Sequence, residues 1–195
     1  TRPPGAELTD LGRNQATEVG RELAGFVGDR EVDFKCSIAL RAQQTATLAA
    51  RAFEQERNLP RFSIPIDVIP NVQEIFAGDW ELDASEAAHR SHDTAMRGWC
   101  YGDSQAAMEG GERLQDVLSR FQPALEEIAA QLADDRDVIL VSHGAAIRVV
   151  TKHATGADAD FAYTGYMPNC RFTVMEPRGK KFGEWTLTRW ADIEL

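Results

Sequence analysis

The chain has 195 residues, 43% of them hydrophobic and 27% charged, which suits one globular domain with a single sizeable core. Its formal net charge of −10 argues against nucleic acid as the main partner, because a phosphate backbone calls for clustered Lys and Arg. A small phosphorylated substrate needs only a local cluster of cations and stays compatible with that charge.

No apolar run is long enough to span a bilayer, and no basic-then-apolar signal segment opens the chain, so no membrane partner is expected. Cys36, Cys100 and Cys170 are too few and too irregularly spaced for a disulfide framework or a zinc site. A reducing, cytoplasmic setting without a metal or other cofactor is the expectation. The opening Thr1-Arg2-Pro3-Pro4-Gly5, without an initiator Met, reads as a loop entering a helix where a domain of this type would open with a strand. The chain is therefore expected to be N-terminally incomplete.

Thr9 is a good N-cap for a first helix that ends at Gly28-Asp29, with Leu11, Gln15, Val19, Leu23 and Phe26 on one face. Val32 to Ser37 is a short strand, and Arg41 to about Glu56 a second helix with Leu48 and Phe53 inward. Ser63 to Pro70 alternates like a strand, and its two prolines assign it to a sheet edge. Residues 84 to 107, with Trp99 and Tyr101, are helical or irregular, a lid or a surface excursion. Glu112 to about Ala133 carries Leu114, Val117, Leu118, Phe121, Leu125, Ile128 and Leu132 on one stripe of a long amphipathic helix.

Next comes Asp137-Val138-Ile139-Leu140-Val141, a β-branched run that predicts a central strand buried on both faces, ending in Ser142-His143-Gly144. A helix follows from Ala145 and closes near Gly156. His143 is thus expected at the carboxyl edge of a sheet, before a helix N-terminus, where open α/β sheets bind ligands and free N–H groups favour an anion. Arg171 to Met175 and Glu184 to Trp190 predict two late strands around Pro177-Arg178-Gly179. Strands alternating with helices predict a single α/β domain over residues 1–195 with layers on both sheet faces.

Four motifs occur in order: Leu8-Thr9-Asp10-Leu11-Gly12-Arg13-Asn14-Gln15-Ala16; Ser37 with Arg41-Ala42-Gln43-Gln44-Thr45-Ala46; Glu74 with Gly78-Asp79-Trp80-Glu81; and Val141-Ser142-His143-Gly144. Each alone is weak. As an ordered set they resemble the histidine phosphatase superfamily, the phosphoglycerate mutase-like proteins. The resemblance covers nearly the whole chain and is loosest between residues 82 and 135. It implies a three-layer α/β/α sandwich around a mostly parallel sheet, whose first strand is not among these residues.

The resemblance also implies roles. Arg41 would bind the phosphoryl group, which its planar fork suits. Glu74 would pass a proton to the leaving alcohol and take one from water, work that burial near Phe76 and Trp80 would favour by raising its pKa. His143, with the Gly144 backbone nearby, would hold a phosphoryl oxygen. Asn169, in a Pro-Asn pair, and Gly110-Gly111-Glu112-Arg113, near the family's Gly-Glu-Ser, are weaker matches. His89, His92 and His153 read as solvated surface residues and Cys36 as a small core residue.

The family's Arg-His-Gly motif, whose His is the nucleophile, does not occur in the sequence. Without it the 195 residues alone are expected to be inactive, a half-site that binds an oxyanion weakly. The leading function is a metal-independent phosphatase for a small phosphomonoester, acting through a phosphohistidine once an N-terminal segment supplies that His. A phosphoglycerate mutase-type transferase and a non-catalytic phospho-ligand binding pseudoenzyme are the alternatives, a metal-dependent hydrolase a poor fourth. Substrate identity and a homodimer stay open.

Overall fold

The computed structural model describes residues 4–195, so the first three positions of the expected opening loop lie outside the described residues. The chain divides into two compact units. One runs to Gln73 and takes in Ala130–Ser142; the other holds Glu74–Ala129 and His143–Leu195.

The first unit contains α1 (Asp10–Val27), β1 (Glu31–Ser37), α2 (Leu40–Glu56), β2 (Ile66–Ile69) and β3 (Arg136–Val141). Thr9 caps α1 as expected, its hydroxyl accepting from Gly12 N at 3.1 Å, and Gly28 ends it at φ 64°. The inward face differs from the expected stripe. Leu11 and Phe26 are exposed, while Ala16, Gly20 and Ala24 are buried with Val19, Leu23 and Val27. The reason is close helix packing. A Cβ on Gly20 would lie 2.3 Å from the Ala49 carbonyl oxygen, and α2 meets α1 with Ala42, Ala46, Ala49 and Ala50 buried. Small side chains let the two backbones approach; bulkier ones face out.

The parallel sheet predicted from the strand–helix alternation has the order β2-β1-β3. Cys36 is opposite Val68 on one side and Val141 on the other, so the three carboxyl ends lie along one edge. β2 is the expected edge strand, with Pro65 and Pro70 just outside it. Cys36 is fully buried, and burial, reinforced by the charge of Asp67, pushes its thiol up to about 11.

β3 requires a correction. Its apolar run predicts a central strand, yet among the described residues it pairs with β1 alone, and all six residues are only half-buried. Parallel strands bury both flanks when they have two neighbours. With one neighbour, a row of backbone groups and the side chains beside it stay open. The central strand is β1, with Val32, Phe34 and Cys36 in the core.

The second unit begins with Glu74 and a 3-10 turn at Gly78–Trp80, followed by α3 (Glu86–Tyr101), α4 (Leu114–Gln131), α5 (Gly144–Thr155) and α6 (Ala159–Thr164). β4 (Thr173–Glu176), β5 (Thr186–Trp190) and β6 (Ile193–Glu194) then form an antiparallel sheet. The last two residues of α4 belong to the first unit. The region expected as a lid or excursion is a capped helix: Ser85 accepts from Ala88 N at 3.1 Å, and Gly102 closes α3 at φ 83°. Its inner face, with Ala95, Met96, Trp99 and Cys100, is buried. α5 ends at Gly156, as read from the sequence.

Candidate active site

α5 begins directly after Ser142-His143. His143 is its N-cap residue, with extended backbone and 6% exposure, and its carbonyl accepts from Ile147 N at 2.8 Å. A helix start leaves N–H groups that need acceptors. Glu74 supplies them. Its Oε1 accepts from Ala146 N at 2.9 Å and its Oε2 from Ala145 N at 3.2 Å. Oε1 also accepts from Ile75 N at 2.9 Å. Two of the N–H groups that the sequence reading offered to a substrate anion therefore hold a side-chain carboxylate. A Cβ built on Gly144 would meet no heavy atom of the described residues within 4 Å. His143 and Glu74 are thus brought to one helix terminus.

The loop that carries Glu74 is stitched to the head of α4. Glu112 Oε2 accepts from Phe76 N at 2.8 Å, and Glu112 N donates to Phe76 O at 3.0 Å. Arg120 grips Glu112 with Nε on Oε1 at 2.8 Å and Nη2 on Oε2 at 2.9 Å. The same Nη2 donates to the Glu74 carbonyl at 3.2 Å. The two strands of chain run very close: a Cβ on Gly78 would be 2.1 Å from Glu109 O, and one on Gly111 2.7 Å from Phe76 O. Gly78 and Gly110 both have positive φ. The Gly110-Gly111-Glu112 motif is therefore tied to the Glu74 loop through close backbone contacts and the Glu112 carboxylate.

Glu74 also lines a cavity of about 250 Å³. Ile75, Trp80, Leu82, Trp99 and Met108 give it apolar walls, and its ionisable groups are Glu74, Glu81 and His92. Among the described residues, no lysine or arginine lines it. Glu81 accepts from Ala77 N at 3.0 Å.

His92 departs from its expected place on a solvated surface. It is half-buried on α3, its ring edge-on to Trp99 at 6.2 Å. Burial holds its pKa below the ordinary imidazole value, Glu74 opposing and Arg148 reinforcing that shift. His92 was legible in principle, because it shares the helical stripe of Ala88, Ala95, Met96 and Trp99. His153 also departs from the surface reading: it is half-buried, and its Nε2 meets Trp99 O at 2.8 Å, so that nitrogen carries the proton. His89 is exposed, as expected.

Arg41 belongs to the first unit and is described there. It is the second residue of α2, four residues beyond the end of β1, and half-buried. Ala39, the N-cap residue of α2, makes no side-chain capping bond, and no acidic residue occupies the first turn. Gln44 accepts from Leu8 N at 2.8 Å, tying the first two sequence motifs together. Asn169 is exposed in a turn closed by Arg171 N on Pro168 O at 3.1 Å.

The profile of the histidine phosphatase superfamily (branch 1) matches residues 1–193. The chain is 27% identical to the glucosyl-3-phosphoglycerate phosphatase of Mycolicibacterium vanbaalenii, over 94% of this chain and 83% of that protein. It is 26% identical to the metal-independent phosphoserine phosphatase of Arabidopsis thaliana, over 96% and 72%. Among solved structures, it is similar to a mycobacterial glucosyl-3-phosphoglycerate phosphatase in complex with inorganic phosphate. That match has a TM-score of 0.68 at 26% identity and covers 95% of this chain and 87% of the other.

Proposed function

We propose, from the premise that this chain belongs to the histidine phosphatase superfamily, that it hydrolyses a small phosphomonoester without a metal ion, through a phosphohistidine. The relatives named above are phosphatases of small phosphorylated metabolites, which supports the reaction class. The observation that carries the assignment of roles is the Glu74 carboxylate, fixed on the N-terminus of α5 beside His143 and open to a cavity.

In the proposed reaction, a histidine ring nitrogen attacks phosphorus and the phosphorus–oxygen bond to the alcohol breaks. Glu74, protonated, gives its proton to the leaving oxygen. Water then attacks the phosphohistidine, Glu74 takes a proton from that water, and the nitrogen–phosphorus bond breaks to release inorganic phosphate. His143 donates to a phosphoryl oxygen, and the Gly144 backbone beside it is open among the described residues. Arg41 clamps the phosphoryl group. Its planar fork matches two phosphoryl oxygens.

The attacking histidine is proposed to come from outside these 195 residues, on a strand that adds to the open edge of β3. Such a strand would end beside Ser142-His143, and the half-exposed Val138 to Val141 would gain the second neighbour that their composition calls for. The test is hydrolysis of 4-nitrophenyl phosphate by the full-length gene product with and without chelator. Turnover unaffected by chelator, with acid-labile and base-stable phosphate on the protein, is expected. Loss of activity with chelator, or no such phosphoprotein, overturns the reading.

A further inference from the structure

We propose that His153, in the last turn of α5, is a positioning residue: it holds the Trp99 wall of the cavity in place relative to the Glu74 carboxyl, and so sets the size of leaving alcohol that the site accepts. The inference rests on the phosphatase reading. If Glu74 protonates the leaving oxygen, whatever that oxygen carries lies in the space beside the carboxyl, and Trp99 bounds that space.

α5 is the common support. Its first turn holds Glu74 through Ala145 N and Ala146 N, and its last turn holds α3, where His153 Nε2 donates to Trp99 O at 2.8 Å. Ala145 and His153 are eight positions apart, about 12 Å along a helix axis. That end of α5 is itself fastened, because Ala154 O accepts from Gly183 N at 2.8 Å and from Trp185 N at 3.1 Å. Trp99 O already accepts from Gly102 N at 3.3 Å in the turn that closes α3, so the carbonyl does not need the imidazole as a donor. Burial disfavours the charged form of the ring there. What the bond adds is a tie between the helix that holds Glu74 and the helix that bears the wall.

The Trp99 side chain is fixed as firmly as its carbonyl, which is the second, independent observation. It is 1% exposed, and its indole Nε1 donates to Ala106 O at 2.6 Å. The same oxygen accepts from Leu114 N at 3.1 Å. A Cβ on Gly98 would lie 2.4 Å from the Ala106 Cβ, so the loop after α3 is pressed against that helix. Farther along that loop Met108 lines the cavity, and Glu109 O accepts from Asp79 N at 3.0 Å. Backbone and hydrogen bonds thus run in a closed circuit from Glu74 through α5, His153, Trp99, Ala106, Glu109 and Asp79 back to Glu74. Ile75, Trp80, Trp99, Met108 and Ala145, which line the cavity, are all carried on that circuit. Loosening it at His153 frees Trp99 relative to Glu74 without touching a group that meets the phosphoryl.

The test uses the full-length gene product and two alkyl esters whose leaving groups are of similar basicity, methyl phosphate and benzyl phosphate. An apolar cavity of about 150 Å³ takes up benzene. At about 250 Å³ this one has room for the benzyl ring to reach the wall. A glutamine at position 153 places an amide N–H near the place of Nε2, and an asparagine is too short to do so. His153→Asn should raise KM for benzyl phosphate about tenfold, leaving its kcat and both constants for methyl phosphate unchanged, and His153→Gln should restore KM to within about twofold. Trp99→Phe should raise the same KM, and the double variant with His153→Asn should fall at least about threefold short of the product of the two effects. Additive effects, or a loss shared equally by both esters as a merely structural role would give, overturn the inference. In the wild-type protein benzyl alcohol should shift the imidazole nitrogen resonances of His153, and no shift would overturn it as well. Calorimetry with benzyl alcohol separates this inference from the reading beneath it. Binding that His153→Asn weakens and His153→Gln restores, with neither ester hydrolysed, keeps the positioning role and refutes the phosphatase. Hydrolysis of both esters with one KM ratio in all three proteins does the reverse.

Discussion

Glu74→Gln separates a proton-transferring carboxyl from one that merely caps a helix. The substitution keeps size and shape. A glutamine oxygen can replace Oε1 and keep the bonds from Ile75 N and Ala146 N, but the amide NH2 that replaces Oε2 cannot accept from Ala145 N. One hydrogen bond and the favourable charge at the start of α5 are lost, together about 1–2 kcal/mol. For a chain of this length that lowers Tm by roughly 2–8 °C. A general acid–base contributes about 10²–10⁴-fold to rate, far more than so small a structural change explains. The assay is steady-state kcat/KM on two esters. An alkyl phosphate needs its leaving oxygen protonated, so Glu74→Gln should cost it about 10²–10⁴-fold. 4-Nitrophenolate leaves without a proton, so its phosphorylation step should be much less affected, read as the burst of nitrophenol in a pre-steady-state trace. Equal, small losses for both esters with the same drop in Tm would refute the proton-transfer role and leave Glu74 a helix cap.

Glu112→Ala strips the acceptor from Phe76 N and removes the carboxylate that Arg120, only 11% exposed, grips. A loss of about 2–4 kcal/mol by denaturant titration is expected, with kcat reduced while KM changes little, since Glu74 is mispositioned rather than removed. Gly20→Ala drives a Cβ into the Ala49 carbonyl and should cost about 1–3 kcal/mol, read as a lower Tm; an unchanged Tm would mean α1 and α2 are not in contact there. His92 and His153 both have pKa values pulled below the ordinary 6.5 by burial. Above that pH neither the folded nor the unfolded state carries the proton. Below it the unfolded chain takes the proton first, so Tm should hold above pH 6.5 and fall as the pH drops, and His153→Gln should make that fall shallower.

The sequence made some of this legible because certain residues have one physical use. Thr9 before a helical period is a cap, Gly28 and Gly156 are stops, and the prolines flanking Ile66–Ile69 mark an edge. Glu74 and His143 could be named from their motifs. That Glu74 would occupy the α5 N-terminus could not, because a loop 71 residues earlier in the chain has to be brought there. The inward face of α1 was misjudged for a related reason. Apolar periodicity weighs side chains by size, whereas the close approach at Gly20 is set by their absence. His92 and His153 were placed at the surface on polarity alone. Burial of an uncharged imidazole with one hydrogen bond is inexpensive, and helical position was the better guide.

β3 is where composition and surroundings disagree most, and the disagreement is measurable. Val138-Ile139-Leu140-Val141 has the composition of a strand covered on both flanks, yet it is half-exposed and pairs only with β1 among the described residues. β1, with neighbours on both sides, is the internal standard, since its backbone groups are satisfied in both directions. In hydrogen exchange of the 195-residue chain, a peptide over residues 136–142 should exchange markedly faster than one over residues 31–37. The groups on its open flank need no unfolding to meet solvent. In the full-length gene product the two peptides should be protected alike, if a further strand fills that edge and brings the nucleophilic histidine with it. Equal protection in both proteins would mean that β3 needs no further partner. The phosphohistidine would then have to form on one of His89, His92, His143 or His153, and substituting each in turn would show which.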